Sequence, residues 1–113
     1  MIVVMAAVEV DSGSLEPMRE AMRAMETASR AESGCLDYVF SQELSAPERL
    51  RVLEVWESME ALEAHFQLPH MARFNEALRA HPPRSLRIEV RELGEKRALP
   101  TAGSRALPGD PAS

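Results

Sequence analysis

Two segments of this 113-residue chain carry apolar side chains on both of their alternating faces. A β-strand with this pattern is covered on both faces, as a central strand of a sheet is. Because a single domain of this length hides only about 60 to 70% of its unfolded surface, one copy has few elements left for a second covering layer. The pattern therefore predicts a sheet whose second face is covered by something outside a single copy. The alternating sets are Ile2, Val4 and Val8 against Val3, Met5 and Ala7 in residues 2–10, and Leu50, Val52, Glu54 and Trp56 against Arg51, Leu53 and Val55 in residues 50–56.

A long helix is predicted to follow the first strand. Residues 11–13 form a turn, and Ser14 is a good N-cap residue. Apolar side chains then recur at helical spacing, while charged side chains fall mainly on the other side. We expect one stripe of the helix to face the core, and its members are Leu15, Met18, Met22 and Met25.

The second strand is predicted over residues 35–42, after Gly34 at the end of the helical region. A turn at residues 45–48 then leads into the third strand. One face of the second strand is expected to carry Leu36, Tyr38 and Phe40.

The next part of the chain predicts two short helical pieces and a fourth strand. Ser58 caps the first piece, and Pro69 starts the second because it disfavours helical geometry at the residue before it. The two pieces meet near His65 and His70. In the first piece, Met59, Leu62 and Phe66 are expected to form a buried stripe. The second piece carries Met71, Phe74 and Leu78, and in the strand Leu86, Ile88 and Val90 alternate with Arg87, Glu89 and Arg91.

The resulting order, β-α-β-β-α-β, is the split βαβ pattern of the ferredoxin-like fold, in the α+β class. Right-handed crossovers place both helices on one face of an antiparallel sheet, with strands one and three at its centre. We expect this domain over residues 1–96 and a flexible tail, rich in Pro, Gly and small residues, over residues 97–113. The free sheet face is expected to pack on the same face of a second copy, which predicts a homodimer. Alternatively, that face is a platform for a ligand.

Composition and charge restrict the functional class. The net charge of -5 and the pI near 5.2 argue against a nucleic-acid partner, which would require clustered Lys and Arg. No run approaches the roughly 18 apolar residues of a membrane span, and the first ten residues lack the basic start of a signal peptide. The single Cys35 cannot form an internal disulfide, which favours a reducing compartment. We therefore expect a soluble, cytoplasmic protein.

Common cofactor and metal motifs do not occur in the sequence. It contains no glycine-rich nucleotide loop, His-Glu-x-x-His, Cys-x-x-Cys or Gly-x-Ser-x-Gly. His65 and His70 are five residues apart with Pro69 between them, so they are not expected to share the helical face that a two-His metal site uses. No metal site is predicted.

Candidate site residues gather around the end of the third strand. Trp56 either closes one end of a cavity or is an ordinary core aromatic residue. Glu54 lies on an otherwise apolar face, so it requires a raised pKa or a partner. Tyr38 is placed to point a phenol into the same space, and His65 is either a proton-transfer group or a helix residue bonded to a carbonyl. The candidate partners of Glu54 are Arg51 and Arg87.

Several of these residues also carry a resemblance. Gly34-Cys35, Glu54-x-Trp56-Glu57-Ser58, Leu62-Glu63-Ala64-His65 and Pro69-His70-Met71 together resemble the antibiotic biosynthesis monooxygenase domain family over about residues 1–95, and most closely its quinol monooxygenase-like members. The resemblance implies a dimeric ferredoxin-like fold of the α/β-barrel type. It also implies oxygenation of a small phenolic or quinol-type aromatic substrate by O2, without flavin, haem or metal.

The resemblance assigns roles to the candidate residues. It implies that His65 is catalytic, in proton transfer, because an imidazole accepts protons near neutral pH. The implied substrate-binding residues are Trp56, Tyr38, Glu54, His70 and Phe66. Two alternatives stay open, a non-catalytic dimer that binds small molecules and an isomerase of a small signalling molecule. The isomerase would require a basic pocket for a phosphorylated substrate, for which Arg73 and Arg84 are the candidates.

Overall fold

A computed structural model describes residues 1–99 of the chain. Its strands and helices follow the predicted order, with a short 3-10 turn before the first helix and the second helix in two pieces. The elements are β1 (Ile2–Glu9), the 3-10 turn (Ser12–Ser14), α1 (Leu15–Arg30), β2 (Cys35–Glu43), β3 (Ala46–Trp56), α2 (Met59–His65), α3 (Pro69–Ala80) and β4 (Ser85–Glu92). Residues 97–99 have no regular secondary structure. The rest of the predicted tail, residues 100–113, lies outside the described residues, so its flexibility stays a prediction.

The four strands form one antiparallel sheet in the order β2-β3-β1-β4, which confirms the ferredoxin-like prediction that β1 and β3 are central. Val4 of β1 pairs with Glu54 of β3 on one side and with Val90 of β4 on the other. These residues share the face that points toward the helices. The register therefore places Glu54 and Trp56 on the helix side of the sheet.

Helix α1 presents the predicted apolar stripe to the sheet. Met18, Met22 and Met25 are buried, and Leu15 is half-buried. Ser14 precedes the helix, but its side chain makes no capping hydrogen bond. The 3-10 turn runs directly into α1 and leaves Ser14 with helical backbone angles, whereas a capping side chain usually requires an extended backbone.

The prediction for the start of β2 was wrong at one residue. A β-bulge lies between Cys35 and Asp37, so the strict alternation of side chains fails there. As a result Leu36 is half exposed, and Cys35 packs against the core in its place. Tyr38 and Phe40 keep their predicted orientation, since the alternation resumes after the bulge.

The predicted stripe of α2 was also partly wrong. Ser58 caps the helix as predicted, because its hydroxyl accepts a hydrogen bond from the backbone nitrogen of Ala61. The buried side chains, however, are Leu62 and His65, while Met59 and Phe66 are 41% and 50% exposed. The seven-residue helix ends at His65, so Phe66 lies on a terminal turn that departs from the helical stripe. In α3, the predicted Met71, Phe74 and Leu78 are half-buried.

The two faces of the sheet are covered differently. Helices α1 and α2 pack against β2 and β3, whereas the helix-side residues of the edge strand β4 stay about half exposed. On the opposite face, Val3 is buried but Met5 and Leu53 are partly exposed at the centre. Within residues 1–99, no helix is both long and apolar enough to cross a membrane.

Candidate functional site

A cavity of about 210 Å³ lies between the helix-side face of the sheet and the helices. Its walls are almost entirely apolar, and its polar lining groups belong to Tyr38, Glu54, His65 and Asn75. The cavity reaches the surface over β4, where its lining side chains are half exposed. Those mouth residues are Phe66, Leu86, Ile88 and Val90.

Tyr38 and Glu54 form the buried polar end of the cavity together. They are cross-strand partners in the β2–β3 register, so both side chains point to the helix side. Trp56 lies two residues further along β3, and its Nε1 donates a hydrogen bond of 3.0 Å to Glu54 Oε1. Trp56 does not line the cavity itself. Trp56, predicted to close one end of a cavity or to be a core residue, thus lies behind the polar end and supports Glu54.

The predicted arginine partners of Glu54 were wrong. Arg51 and Arg87 both pair with Ala7 across the strands, which puts them on the opposite face of the sheet. Arg51 instead forms an ion pair of 3.6 Å with Glu43. An indole N–H, that of Trp56, satisfies Glu54 in place of an arginine.

Burial shifts the pKa values of the two groups at this polar end. It raises the pKa of Glu54 above its usual value of 4.5, and the hydrogen bond from Trp56 opposes that rise. Burial also raises the pKa of Tyr38, with a further contribution from the negative charge of Glu54. The Tyr38 phenol therefore stays protonated at neutral pH, so it can donate a hydrogen bond to a ligand but cannot act as its base.

His65 lies next to this polar end, at the last residue of α2. Its side chain is only 1% exposed, and its ring centroid is 4.7 Å from that of Trp56 and 5.7 Å from that of Tyr38. Nδ1 of His65 lies 2.6 Å from Oε2 of Glu32. The structure thus brings His65, Tyr38, Glu54 and Trp56 together, as the sequence analysis expected.

His70 lies apart from the cavity. It lines a small depression of about 100 Å³ on the surface between α1 and α3, together with Arg73. Met25 and Phe74 line both spaces and separate them. Nε2 of His70 lies 2.6 Å from the same Oε2 atom of Glu32 that His65 contacts. The structure therefore does not place His70, an implied substrate-binding residue, among the residues that line the cavity.

Glu32 is the residue of this site that the sequence analysis missed. It lies in the turn between α1 and β2, 33 residues before His65. The one local signal is Gly34, which has a positive φ of 87°, and a Cβ there would lie 2.7 Å from Cβ of Ala61 in α2. A glycine of this kind indicates a tight turn in close contact with another element. It does not indicate which element that is.

Glu32, His65 and His70 have the donor types of a metal site. Their ligand atoms lie within 4.8 Å of one another. The two histidines lie on different helices, so they do not share one helical face, but the fold brings their side chains together. Pro69 starts a new helix and redirects the chain between them. Both N···O distances are nevertheless 2.6 Å. Atoms that share one zinc ion at about 2.0–2.1 Å each would be separated by roughly 3 Å or more. The geometry is that of two nitrogens hydrogen-bonded to one carboxylate oxygen.

Neither arginine proposed for a phosphorylated substrate lies in the cavity. Arg73 lines the surface depression, and Arg84 forms an ion pair of 2.6 Å with Asp11. Within residues 1–99, none of the side chains lining the cavity is Arg or Lys. The cavity thus suits an uncharged ligand.

Comparison with known proteins agrees with this architecture. A protein-family model described as antibiotic biosynthesis monooxygenase matches residues 1–77. The uncharacterized protein sll1783 of Synechocystis is 30% identical over 71 residues, or 63% of this chain and 48% of that protein. YgiN of Escherichia coli, described as a probable quinol monooxygenase, is 38% identical over 56 residues, or 42% of this chain and 54% of YgiN. The chain spans about half the length of these curated relatives.

Solved structures show the same fold. A Deinococcus radiodurans protein described as a candidate antibiotic biosynthesis monooxygenase has a TM-score of 0.82 and 26% identity, with 88% of this chain and 98% of that chain covered. PA3566 from Pseudomonas aeruginosa has a TM-score of 0.74 and 28% identity, with 82% of this chain and 94% of that chain covered.

Proposed function

Because the chain belongs to the antibiotic biosynthesis monooxygenase family, we propose that it uses O2 to oxidise a small, uncharged phenol or quinol without a bound cofactor. The observation that carries this proposal is the position of His65, the one basic group that residues 1–99 place at the buried polar end of an apolar cavity. The resemblance to YgiN in about half of each chain supports the same substrate class.

The size and lining of the cavity support a small aromatic substrate. At about 210 Å³ it is smaller than the roughly 300–1,000 Å³ typical of pockets for drug-sized ligands, so it accommodates a small ring system. Its apolar walls favour an aromatic ring. The hydroxyl of that ring would lie at the polar end, where the protonated Tyr38 donates a hydrogen bond and His65 accepts a proton.

The proposed reaction begins when His65 takes the hydroxyl proton of the substrate. The resulting electron-rich anion transfers an electron to O2, and the two radicals combine to form a peroxide. One oxygen atom of O2 stays in the product, and the other leaves as water with two hydrogen atoms from the substrate. The protein supplies orientation, a dry cavity and the base, while the substrate supplies all the electrons.

An oxygen-uptake assay tests this proposal. Protein freed of metals by chelation would be given a panel of quinols and anthrone-like phenols, with heat-denatured protein as the blank. We expect enzyme-dependent oxygen consumption with at least one member of the panel. Tight binding of a panel member with no oxygen uptake would contradict the proposal and identify a non-catalytic binding protein.

We also propose that two copies pair through the sheet face opposite the helices. Met5 and Leu53 are exposed at the centre of that face, beside the half-buried Val39 and Val55. The charged side chains Arg51, Arg87, Glu89 and Arg91 lie on the same face, mainly toward β4. An apolar centre with charged surroundings is the usual composition of a subunit interface.

Light scattering on a sizing column tests the pairing. We expect a dimer for the wild type and a monomer for Leu53→Asp, because a carboxylate would be buried at the centre of the contact. Leu44→Asp is the matched control, since Leu44 is fully exposed in the β2–β3 turn. A monomeric wild type at micromolar concentration would contradict the proposal.

A further inference from the structure

On the basis of the role proposed for His65, we infer that Glu32 is the positioning residue that makes His65 a base toward the cavity, and that His70 holds Glu32 in place. Glu32 does not line the cavity, so it acts through His65 and does not touch the substrate. Neither the family match nor the sequence pattern assigns a role to this carboxylate.

The three side chains form a continuous buried chain of hydrogen bonds. The side chains of His65, Glu32 and His70 are 1%, 8% and 13% exposed, respectively. Oε2 of Glu32 lies 2.6 Å from a ring nitrogen of each histidine. An ionised carboxylate can only accept hydrogen bonds, so each of these two nitrogens carries its proton. Two short charge-assisted bonds stabilise a carboxylate that is almost out of contact with water.

This arrangement fixes the tautomer of His65. A neutral imidazole has one protonated nitrogen, and its other nitrogen has a free lone pair. Glu32 holds the proton on Nδ1, which leaves Nε2 as the only atom able to accept a proton from a substrate. When Nε2 is protonated, the carboxylate next to Nδ1 balances the new positive charge.

The backbone around Glu32 and the position of His70 keep the carboxylate in this orientation. The nitrogen of Glu32 donates to the carbonyl of Ser29 at 3.0 Å, and the nitrogen of Glu57 donates to the carbonyl of Gly34 at 2.8 Å. The turn is therefore tied both to α1 and to the end of β3. His70, the second residue of α3, approaches Oε2 from the side of the surface depression. Without His70, Glu32 would keep one of its two donors.

Nitrogen-15 NMR of the imidazole rings tests the inference without a substrate. The chain has three histidines, so His70→Gln and His81→Gln would assign the signals. We expect wild-type His65 to carry its proton on Nδ1 at neutral pH. Glu32→Gln should shift the proton to Nε2, because a carboxamide can donate to Nδ1. Glu63→Gln, at an exposed position of α2, is the matched control and should leave the tautomer unchanged.

Kinetics on an oxidised substrate give the second readout. We expect Glu32→Gln to lower kcat by about 100-fold or more, with KM changed less than about threefold, since an incorrect tautomer in other histidine bases costs up to about 10⁴. His70→Ala should lower kcat by about tenfold, whereas His70→Gln keeps a donor and should lower it less.

Two results would overturn the inference. The first is wild-type His65 with its proton on Nε2, and the second is a Glu32→Gln variant with an unchanged tautomer. If Glu32→Gln does not fold, the wild-type tautomer and the two His70 variants still decide the matter. Failure to oxidise any substrate, with the expected tautomer present, would contradict the proposed function and leave the role of Glu32 intact.

Discussion

The layer between the sheet and the helices buries different kinds of side chain at its two ends. At one end, here called the apolar end, the buried cluster is entirely apolar and consists of Val10, Met18, Met22 and Leu50. At the other, the polar end, Glu54 and His65 are buried among Ile2, Val4, Met25, Tyr38, Val52, Trp56 and Leu62. Phe40 and Phe74 pack against both clusters.

Under the proposed function, this difference assigns stability mainly to the apolar end and the proposed base, His65, to the polar end. Burying a carboxyl group and an imidazole costs free energy unless each is hydrogen-bonded. Trp56 and Glu32 supply those hydrogen bonds, although burial still raises the pKa of Glu54. Substitutions at the two ends should therefore separate activity from stability.

The largest expected effect is on turnover, from His65→Gln at the polar end. We expect it to lower the rate of oxygen uptake by about 10²–10⁴-fold, the usual contribution of a general base. The amide can still donate to Glu32, so the fold should be retained. His81→Gln is the control, because His81 lies at the end of α3 and does not line the cavity. An unchanged rate for His65→Gln would mean that the base is elsewhere.

At the apolar end the expected effect is on stability, from Leu50→Ala. Leu50 is 3% exposed, and truncation of a buried Leu typically costs about 2–5 kcal/mol. The free energy of unfolding, measured in urea, should fall by that amount. Leu50 lines the cavity but carries no acid or base, so kcat should fall far less than in His65→Gln. Leu44→Ala, at a fully exposed position, is the control and should leave the free energy of unfolding unchanged. A loss of kcat as large as that of His65→Gln would remove the distinction between the two ends.

Glu54→Gln should change how stability depends on pH. Since burial raises the pKa of Glu54 in the folded state, the folded chain binds this proton more tightly than the unfolded chain does. The stability that the Glu54 carboxyl group contributes is fully present below its pKa in the unfolded chain. This stability is lost as pH rises through its raised pKa in the folded chain. Wild type should therefore lose stability relative to Glu54→Gln as pH rises above the usual pKa of a glutamic acid side chain.

Urea unfolding at several pH values measures this, with Glu63→Gln as the exposed control. If the free energy of unfolding depends on pH in the same way for wild type and Glu54→Gln, burial does not raise the pKa of this carboxyl group and the prediction is wrong.

The smallest expected effect comes from Ser58→Ala, at the start of the helix that ends with His65. The variant loses the capping hydrogen bond from the backbone nitrogen of Ala61 to the Ser58 hydroxyl, which should lower the free energy of unfolding by about 1 kcal/mol. Ser45→Ala, at an exposed turn, is the control. If α2 mainly positions His65, kcat should fall along with stability in Ser58→Ala. A change in stability alone would indicate that packing of Leu62 is sufficient to hold the helix.

The sequence predicted those parts of the fold that depend on local patterns. The alternation in residues 2–10 and 50–56 identified the central strands, because side-chain direction in a strand repeats every two residues. Leu36 was assigned to the wrong face because a bulge inserts one residue, which no local pattern indicated. Phe66 was placed in the buried stripe because the end of a seven-residue helix is hard to locate from sequence.

The site was predictable only in part, for a similar reason. Tyr38, Glu54 and His65 were found because each is unusual against its apolar neighbours. Glu32 was missed because it resembles a solvated residue in a turn, and its partners lie 33 and 38 residues away. Contacts over such distances depend on the tertiary fold, so composition and spacing cannot indicate them.

Three of the residues lining the cavity from α1 are methionines, Met18, Met22 and Met25. Thioethers are readily converted to sulfoxides, which are polar and disrupt apolar packing. Under the proposed chemistry, a peroxide that is released into the cavity before it loses water would contact the sulfur atoms of these methionines. The cavity would then become more polar as turnovers accumulate. The number of turnovers that one molecule completes would depend on how rarely peroxide is released.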